Sequence, residues 1–95
     1  MTEKDIERKF GELVRKRGGL FYKFVSPGNS GVPDRIVIPP GGEVWFVELK
    51  TVAGKLTELQ KWQIHKMAGG GVNVRVLQGW DDVKSFVDEV MPVEV

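Results

Sequence analysis

Apolar residues recur at helical spacing in three segments of the chain. The first segment follows Thr2, whose hydroxyl suits a helix N-cap, and runs from about residue 3 to residue 17, where Gly18-Gly19 ends it. Thr57 and Gln60 form a capping-box pattern that opens the second helix, and a glycine triplet closes it. The three apolar stripes comprise Ile6, Phe10, Leu13 and Val14; Leu59, Trp62 and Met67; and Trp80, Val83, Phe86, Val87 and Val90.

Four other stretches are rich in β-branched and aromatic residues and predict strands. They are "LFYKFV", "RIVI", "EVWFVEL" and "VNVRVL". Pro39-Pro40-Gly41-Gly42 separates the second from the third and predicts a turn, so these two strands should pair as an antiparallel hairpin. The element order α-β-β-β-α-β-α predicts an α/β fold, one sheet flanked by helices, in a single domain over residues 1–95. Residues 92–95 are expected to form a loose tail.

Composition narrows the possible partners and the compartment. Fourteen Lys and Arg against thirteen Asp and Glu give a net charge of +1, so any polyanion must bind through a local cluster rather than through bulk charge. The chain has no cysteine, which excludes disulfides and thiolate metal sites. No apolar run approaches the ~20 residues of a membrane span, and we expect a cytoplasmic protein, in the host cell if a phage encodes it.

Three charged residues stand where the predicted sheet should be dry. Alternation along the third strand places Glu48 and Lys50 on one face, only about 7 Å apart at Cα. Asp34 opens the preceding strand, and pairing through the hairpin sets it near Val47 or Glu48. The two carboxylates should therefore be neighbours in space.

Adjacent carboxylates repel one another unless they share a proton or a cation. Oxygen ligands with open positions suit Mg²⁺ or Mn²⁺, and Lys50 beside such an ion can activate a water and neutralise charge on a phosphodiester transition state. The simpler alternative is that Asp34 caps a turn while Glu48 and Lys50 form a salt bridge at a strand end.

The motif Pro33-Asp34 followed by Glu48-Leu49-Lys50 resembles the PD-(D/E)XK nuclease superfamily, which has a restriction-endonuclease-like fold with a mixed sheet. The longer run over residues 23–60 resembles the VRR-NUC family, the virus-type replication-repair nucleases, and the chain is similar to its stand-alone phage and prophage members. The resemblance implies that Asp34 and Glu48 bind metal, together with the backbone carbonyl of Leu49, and that Lys50 is catalytic.

Two further residues match family positions. Glu7 corresponds to an acidic residue on the first helix, a possible metal ligand that shares a stripe with Phe10; its alternative is a solvated helix charge, and Glu3 is equally well placed. Gln60 corresponds to a helix glutamine that follows Glu-x-Lys. Its alternative is the capping side chain of its own helix, and both roles are compatible.

The resemblance implies a Mg²⁺- or Mn²⁺-dependent, structure-specific DNA endonuclease similar to the homodimeric resolvases of Holliday junctions. A flap or restriction-type nuclease of the same fold is one alternative, and a noncatalytic nucleic-acid-binding module is another. The second is disfavoured because paired carboxylates without an ion repel phosphate. Candidate DNA contacts, each with ordinary surface polarity as its alternative, are Ser26, Asn29, Ser30, Lys23, Arg35, Lys55 and Lys61.

Overall fold

A computed structural model describes residues 1–93 of the 95-residue chain. Each of the seven predicted elements is present in the predicted order, with ends that differ by a few residues from the predicted ones. The helices are α1 (Glu3–Lys16), α2 (Glu58–Gly69) and α3 (Trp80–Val90), and the strands are β1 (Leu20–Lys23), β2 (Arg35–Ile38), β3 (Trp45–Lys50) and β4 (Val74–Gln78).

The four strands form one mixed sheet in the spatial order β1-β2-β3-β4. Strands β1, β2 and β3 pair antiparallel, whereas β4 lies parallel to β3. A parallel pair needs a long crossover connection, and α2 lies within it. This topology confirms the predicted fold class, an α/β architecture in which one mixed sheet is flanked by helices.

The hydrophobic core lies between one face of the sheet and helices α1 and α3. Phe10 of α1 is its centre, and the rings of Phe21 and Phe86 meet it edge to face at centroid distances of 5.0 and 6.2 Å. Val37, Val47 and Leu49 contribute the sheet's side of the core. Because side chains alternate along a strand, the residues next to them in sequence point to the opposite face of the sheet; these are Ile36, Phe46 and Glu48.

Helix α2 lies at that opposite face and buries little of its apolar surface. Leu59 is half exposed and the side chain of Trp62 is 53% exposed, while the polar Gln63 is the residue of α2 that is buried. The predicted apolar stripe of this helix is therefore not part of the core. Leu20, Tyr22 and Val44 also remain exposed, and the strand register places them on the same face as Ile36 and Phe46.

Within residues 1–93, no helix has both the length and the apolar character required to cross a bilayer. Pro92 and Val93, the described part of the predicted tail, are exposed. Its last two residues, 94 and 95, lie outside the described part of the chain.

Candidate active site

The hairpin of β2 and β3 brings the predicted carboxylates together. Arg35 pairs with Val47 and Val37 with Trp45, so the connection between the strands is one residue longer than the Ile38–Glu43 pairing that the sequence suggested. Extending this register by one residue places Asp34 beside Glu48. Of the two positions predicted for Asp34, opposite Val47 or opposite Glu48, the structure selects the second.

The two carboxylates have different environments. The side chain of Glu48 is 6% exposed, whereas that of Asp34 is 51% exposed. Burial raises the pKa of Glu48 from 4.5 to about 7, and the negative charge of Asp34 adds to this rise. The charge of Glu3 at the start of α1 acts in the same direction, while Lys50 and Arg35 oppose it. Because its ionised form is disfavoured, Glu48 would be stabilised in that form by a nearby cation.

Lys50 and Gln60 approach the same carboxylate. Lys50 Nζ lies 3.8 Å from Oε2 of Glu48, and Gln60 Nε2 lies 3.5 Å from that oxygen. Gln60 also completes a capping box, since its Oε1 accepts from the backbone N–H of Thr57 at 2.9 Å and its own backbone N–H donates to the Thr57 hydroxyl. The capping role of Gln60 is therefore observed, and its role in the site stays a prediction. The cap fixes its backbone and leaves its amide group directed at Glu48.

Glu7 is linked to this cluster through Arg35, whose Nη1 lies 4.0 Å from the Asp34 carboxylate. The Glu7 carboxylate forms an ion pair with Arg35 on the core face of the sheet, opposite the face that carries Glu48. Within residues 1–93, no three acidic or histidine side chains converge as a metal-binding group. The structure therefore brings Asp34, Glu48, Lys50 and Gln60 together and pairs Glu7 with Arg35, so a metal-binding role for Glu7 stays a prediction.

Arg35 occupies a position that the sequence-based prediction missed. It was predicted to contact DNA, but its side chain is only 8% exposed and is paired with Glu7, which argues against a phosphate contact. Strand alternation is the signal that was available: Arg35 precedes Val37 by two residues and so shares the core face, opposite to Asp34 and Ile36. Its placement follows from that periodicity.

The remaining candidate DNA contacts lie on the surface around the site. In the loop before Pro33, the amide of Asn29 donates to the Ser26 hydroxyl at 3.0 Å, and the carbonyl of Ser30 accepts from Gln63 of α2 at 3.2 Å. Lys55 and Lys61 line one shallow cavity of about 300 Å³. Lys23 is exposed at the end of β1, opposite Arg35 in the register. Their contacts with DNA stay predictions.

The donor set of the site is suited to a hard divalent cation. Two adjacent carboxylates, one of them buried with a raised pKa, supply oxygen ligands, and the half-exposed Asp34 leaves one side of the site open to solvent. Asp34 and Glu48 lie at the open end of a β-hairpin in a mixed sheet, and Lys50 follows Glu48 by two residues. This is the arrangement expected of a PD-(D/E)XK nuclease.

Comparison with known proteins identifies the family. The model of the VRR-NUC domain matches residues 6–81, and the chain belongs to the VRR-NUC family. It is 44% identical over 81 residues, or 85% of its own length and 87% of the relative's, to the protein named "Putative nuclease p44" of Acyrthosiphon pisum secondary endosymbiont phage 1. These similarities support a nuclease function, and the relative they identify is a phage protein.

Solved structures agree with this assignment. A structure described as a VRR-NUC domain is 30% identical and superposes with a TM-score of 0.85, over 93% of this chain and 96% of its own. Another, described as a VRR-NUC domain protein, is 16% identical with a TM-score of 0.74, over 96% of this chain and 88% of its own, and shows the shared fold.

Proposed function

We propose that this protein is a Mg²⁺- or Mn²⁺-dependent, structure-specific DNA endonuclease of the Holliday junction resolvase type, working as one nuclease domain over residues 1–95 and as a homodimer in the cytoplasm, which is that of the host cell if a phage encodes the protein. The observation that carries the proposal is the juxtaposition of Asp34 with the buried Glu48. Lys50 lies 3.8 Å from Glu48 and Arg35 lies 4.0 Å from Asp34, and a divalent cation between the two carboxylates would offset their mutual repulsion more directly than either contact does.

Asp34 and Glu48 would hold the cation, with the backbone carbonyl of Leu49 as the third protein ligand that the family resemblance suggests. When bound, the cation supplies neutralisation of phosphate charge and a lowered pKa for an attacking water. Lys50 orients that water and stabilises negative charge that develops on the phosphorus oxygens. Gln60 holds Glu48 from the α2 side and keeps its carboxylate directed at the site.

A homodimer is supported by the uncovered face of the sheet. Helix α2 covers the end of this face that carries Glu48, while Leu20, Tyr22 and Val44 remain exposed at the other end. An exposed apolar face next to an active site is suited to self-association. A two-fold dimer would supply two sites, as symmetric incision of a four-way junction requires.

Cleavage of defined DNA structures tests the proposal. Labelled four-way junction, flap, splayed-arm and linear duplex substrates are incubated with Mg²⁺, with Mn²⁺ and with chelator. We expect paired nicks in the junction with either metal and none with chelator. Lys50→Ala should abolish cleavage, while Lys84→Ala, which removes an exposed lysine of α3 paired with Asp81, should not.

Other outcomes distinguish the alternatives. Cutting of flaps alone, or of linear duplex at a fixed sequence, would indicate a flap or restriction-type nuclease. Metal-independent junction binding that Asp34→Asn does not alter, without cleavage, would indicate a noncatalytic binding module. Equal cleavage by Lys50→Ala and the wild type would contradict the assigned site.

A further inference from the structure

Arg35 is a buried cation in the hairpin that carries the site. Its side chain is 8% exposed and lies on the core face of β2, where its guanidinium is 6.0 Å from the centre of the Phe21 ring. A buried guanidinium is costly unless its donors are satisfied. The polar groups that the Arg35 guanidinium contacts belong to Glu7 and Asp34.

Two of these contacts come from different elements. One guanidinium nitrogen, Nη2, forms the ion pair with Glu7 of α1. The other, Nη1, donates to the backbone carbonyl of Asp34 at 2.9 Å and lies 4.0 Å from the carboxylate of the same residue. Because the guanidinium group is planar and rigid, fixing one nitrogen on α1 fixes the direction of the other.

The Asp34 carbonyl has a second donor. The backbone N–H of Phe24, just beyond β1, donates to it at 2.8 Å. Asp34 itself precedes the regular part of β2, where regular ladder pairing with β3 has ended. Its backbone is therefore held by Phe24 from one side and by Arg35, anchored on Glu7, from the other.

We propose that Arg35 is a positioning residue of the nuclease: through its buried ion pair with Glu7, it holds the backbone of Asp34 so that the carboxylate stays beside Glu48. Arg35 acts through Asp34 and does not contact the DNA. The inference rests on the proposed function for its effect on cleavage, but its effect on the metal-free protein is independent of that function.

The test compares Arg35→Gln and Arg35→Lys with a matched control. Arg75→Gln also removes an arginine from an ion pair, with Glu89, on a strand outside the site. Three quantities are measured: amide hydrogen exchange of Phe24 in chelator, Mn²⁺ affinity by calorimetry, and single-turnover cleavage of junction DNA at saturating concentration. The exchange rate of the Phe24 amide is divided by that of the Phe46 amide, which donates to the backbone carbonyl of Asn73 at 2.9 Å. This ratio corrects for any loss of global stability.

We expect Arg35→Gln to lower Mn²⁺ affinity and the cleavage rate by about 10- to 100-fold, the range typical of residues that support metal ligands. Protection of the Phe24 amide should fall relative to Phe46. Arg35→Lys keeps the positive charge but loses the planar guanidinium that contacts Glu7 and Asp34 at once. Its Mn²⁺ affinity, cleavage rate and Phe24 protection should therefore lie between those of Arg35→Gln and the wild type. Arg75→Gln should match the wild type in all three.

Glu7→Gln approaches the same tether from the side of α1: Glu7 is 39% exposed, and the amide oxygen of glutamine can still accept a hydrogen bond from Arg35, but the ion pair is lost. It should reproduce the loss of Phe24 protection, and adding it to Arg35→Gln should cause little further loss. This variant keeps the inference testable should Arg35→Gln fail to fold.

Unchanged Phe24 protection and unchanged Mn²⁺ affinity in Arg35→Gln would overturn the inference. A salt dependence of DNA binding that weakens by about one charge in Arg35→Gln would also overturn it, because that result indicates a direct phosphate contact. If the wild type binds Mn²⁺ without cleaving DNA, the proposed function fails, and the exchange and affinity measurements still decide the role of Arg35.

Discussion

At the scale of single residues, Glu48 links the fold to the chemistry. Its neighbours along β3, Val47 and Leu49, are core residues, so Glu48 points to the opposite face, where Gln60 and Lys50 approach its carboxylate and leave its side chain 6% exposed. The same burial that makes ionisation of Glu48 unfavourable makes the site attractive to a cation. The sequence showed that Glu48 and Lys50 share a face, whereas the raised pKa arises from burial and from the approach of Asp34.

Glu48 should make the metal-free protein less stable as the pH rises. Folding raises its pKa from 4.5 to about 7, so the folded state binds the proton more tightly than the unfolded chain. The stabilisation is complete below pH 4.5 and is lost as the pH passes through 7. Glu48→Gln removes this loss, and we expect its advantage over the wild type to grow by on the order of 2 kcal/mol between about pH 5 and pH 8.

Urea unfolding in chelator at a series of pH values measures this effect. Glu58→Gln, which alters an exposed glutamate of α2, is the control and should follow the wild type. Addition of Mn²⁺ at neutral pH should stabilise the wild type and not Glu48→Gln. A Glu48→Gln curve parallel to the wild type across this range would contradict a raised pKa.

At the scale of elements, the position of α2 against the site is set at its first turn. Thr57 and Gln60 form the cap, and Gly31 of the loop before Pro33 meets α2 at Leu59. The sequence predicted the cap from spacing alone, because capping is local. The contact with the Gly31 loop joins segments that are distant along the chain, and no local pattern indicates it.

Removing each of the two capping boxes in turn should distinguish a loss of stability from a loss of activity. Thr57→Ala and Thr2→Ala each remove a cap with the same hydrogen bonds, so each should cost about 1 kcal/mol of stability. Because only the Thr57 cap orients Gln60 toward Glu48, Thr57→Ala should slow junction cleavage several-fold more than Thr2→Ala does. Thermal unfolding and single-turnover cleavage measure the two effects, and equal slowing by both variants would argue against an orienting role.

Gly31 should tolerate alanine less than Gly28 does. Both have positive φ, +89° and +81°, so alanine brings backbone strain of about 1 kcal/mol at either position. At Gly31 the added Cβ would also lie 2.9 Å from the backbone of Leu59, whereas at Gly28 it meets open space. We expect Gly31→Ala to cost about 2 kcal/mol or more and to slow cleavage by displacing α2. Denaturant unfolding that gives equal losses for the two would contradict this contact.

At the scale of the whole molecule, the helices cover the two faces of the sheet unequally. Helices α1 and α3 cover one face fully, and α2 covers only part of the other. Composition cannot reveal this imbalance, because exposed residues such as Leu20 and Val44 are as apolar as the core residues. It arises from the number and position of the helices on each side.

The exposed part of the second face should hold the proposed dimer together. Sedimentation of the wild type is expected to give about twice the chain mass of 10.7 kDa. Tyr22→Glu places a charge on that face and should yield monomers, since an unpaired charge is costly to bury at an interface. Val93→Glu changes an exposed valine outside this face and should remain dimeric. A monomeric wild type would contradict the dimer.

Local rules of spacing determined much of this protein from the sequence alone. Helical periodicity, strand alternation and turn residues gave the seven elements, the hairpin and the neighbourhood of Asp34 and Glu48, because each depends on residues close along the chain. The packing of α1, by contrast, sets which acid lies near that pair: the charge of Glu3 acts on Glu48, whereas Glu7 pairs with Arg35. Glu7 and Glu3 are equivalent in the helical pattern, but α1 packs so that Glu7 meets the buried Arg35. An ion pair between residues far apart in sequence depends on how the helices pack on the sheet. It forms because a buried charge without a partner is costly.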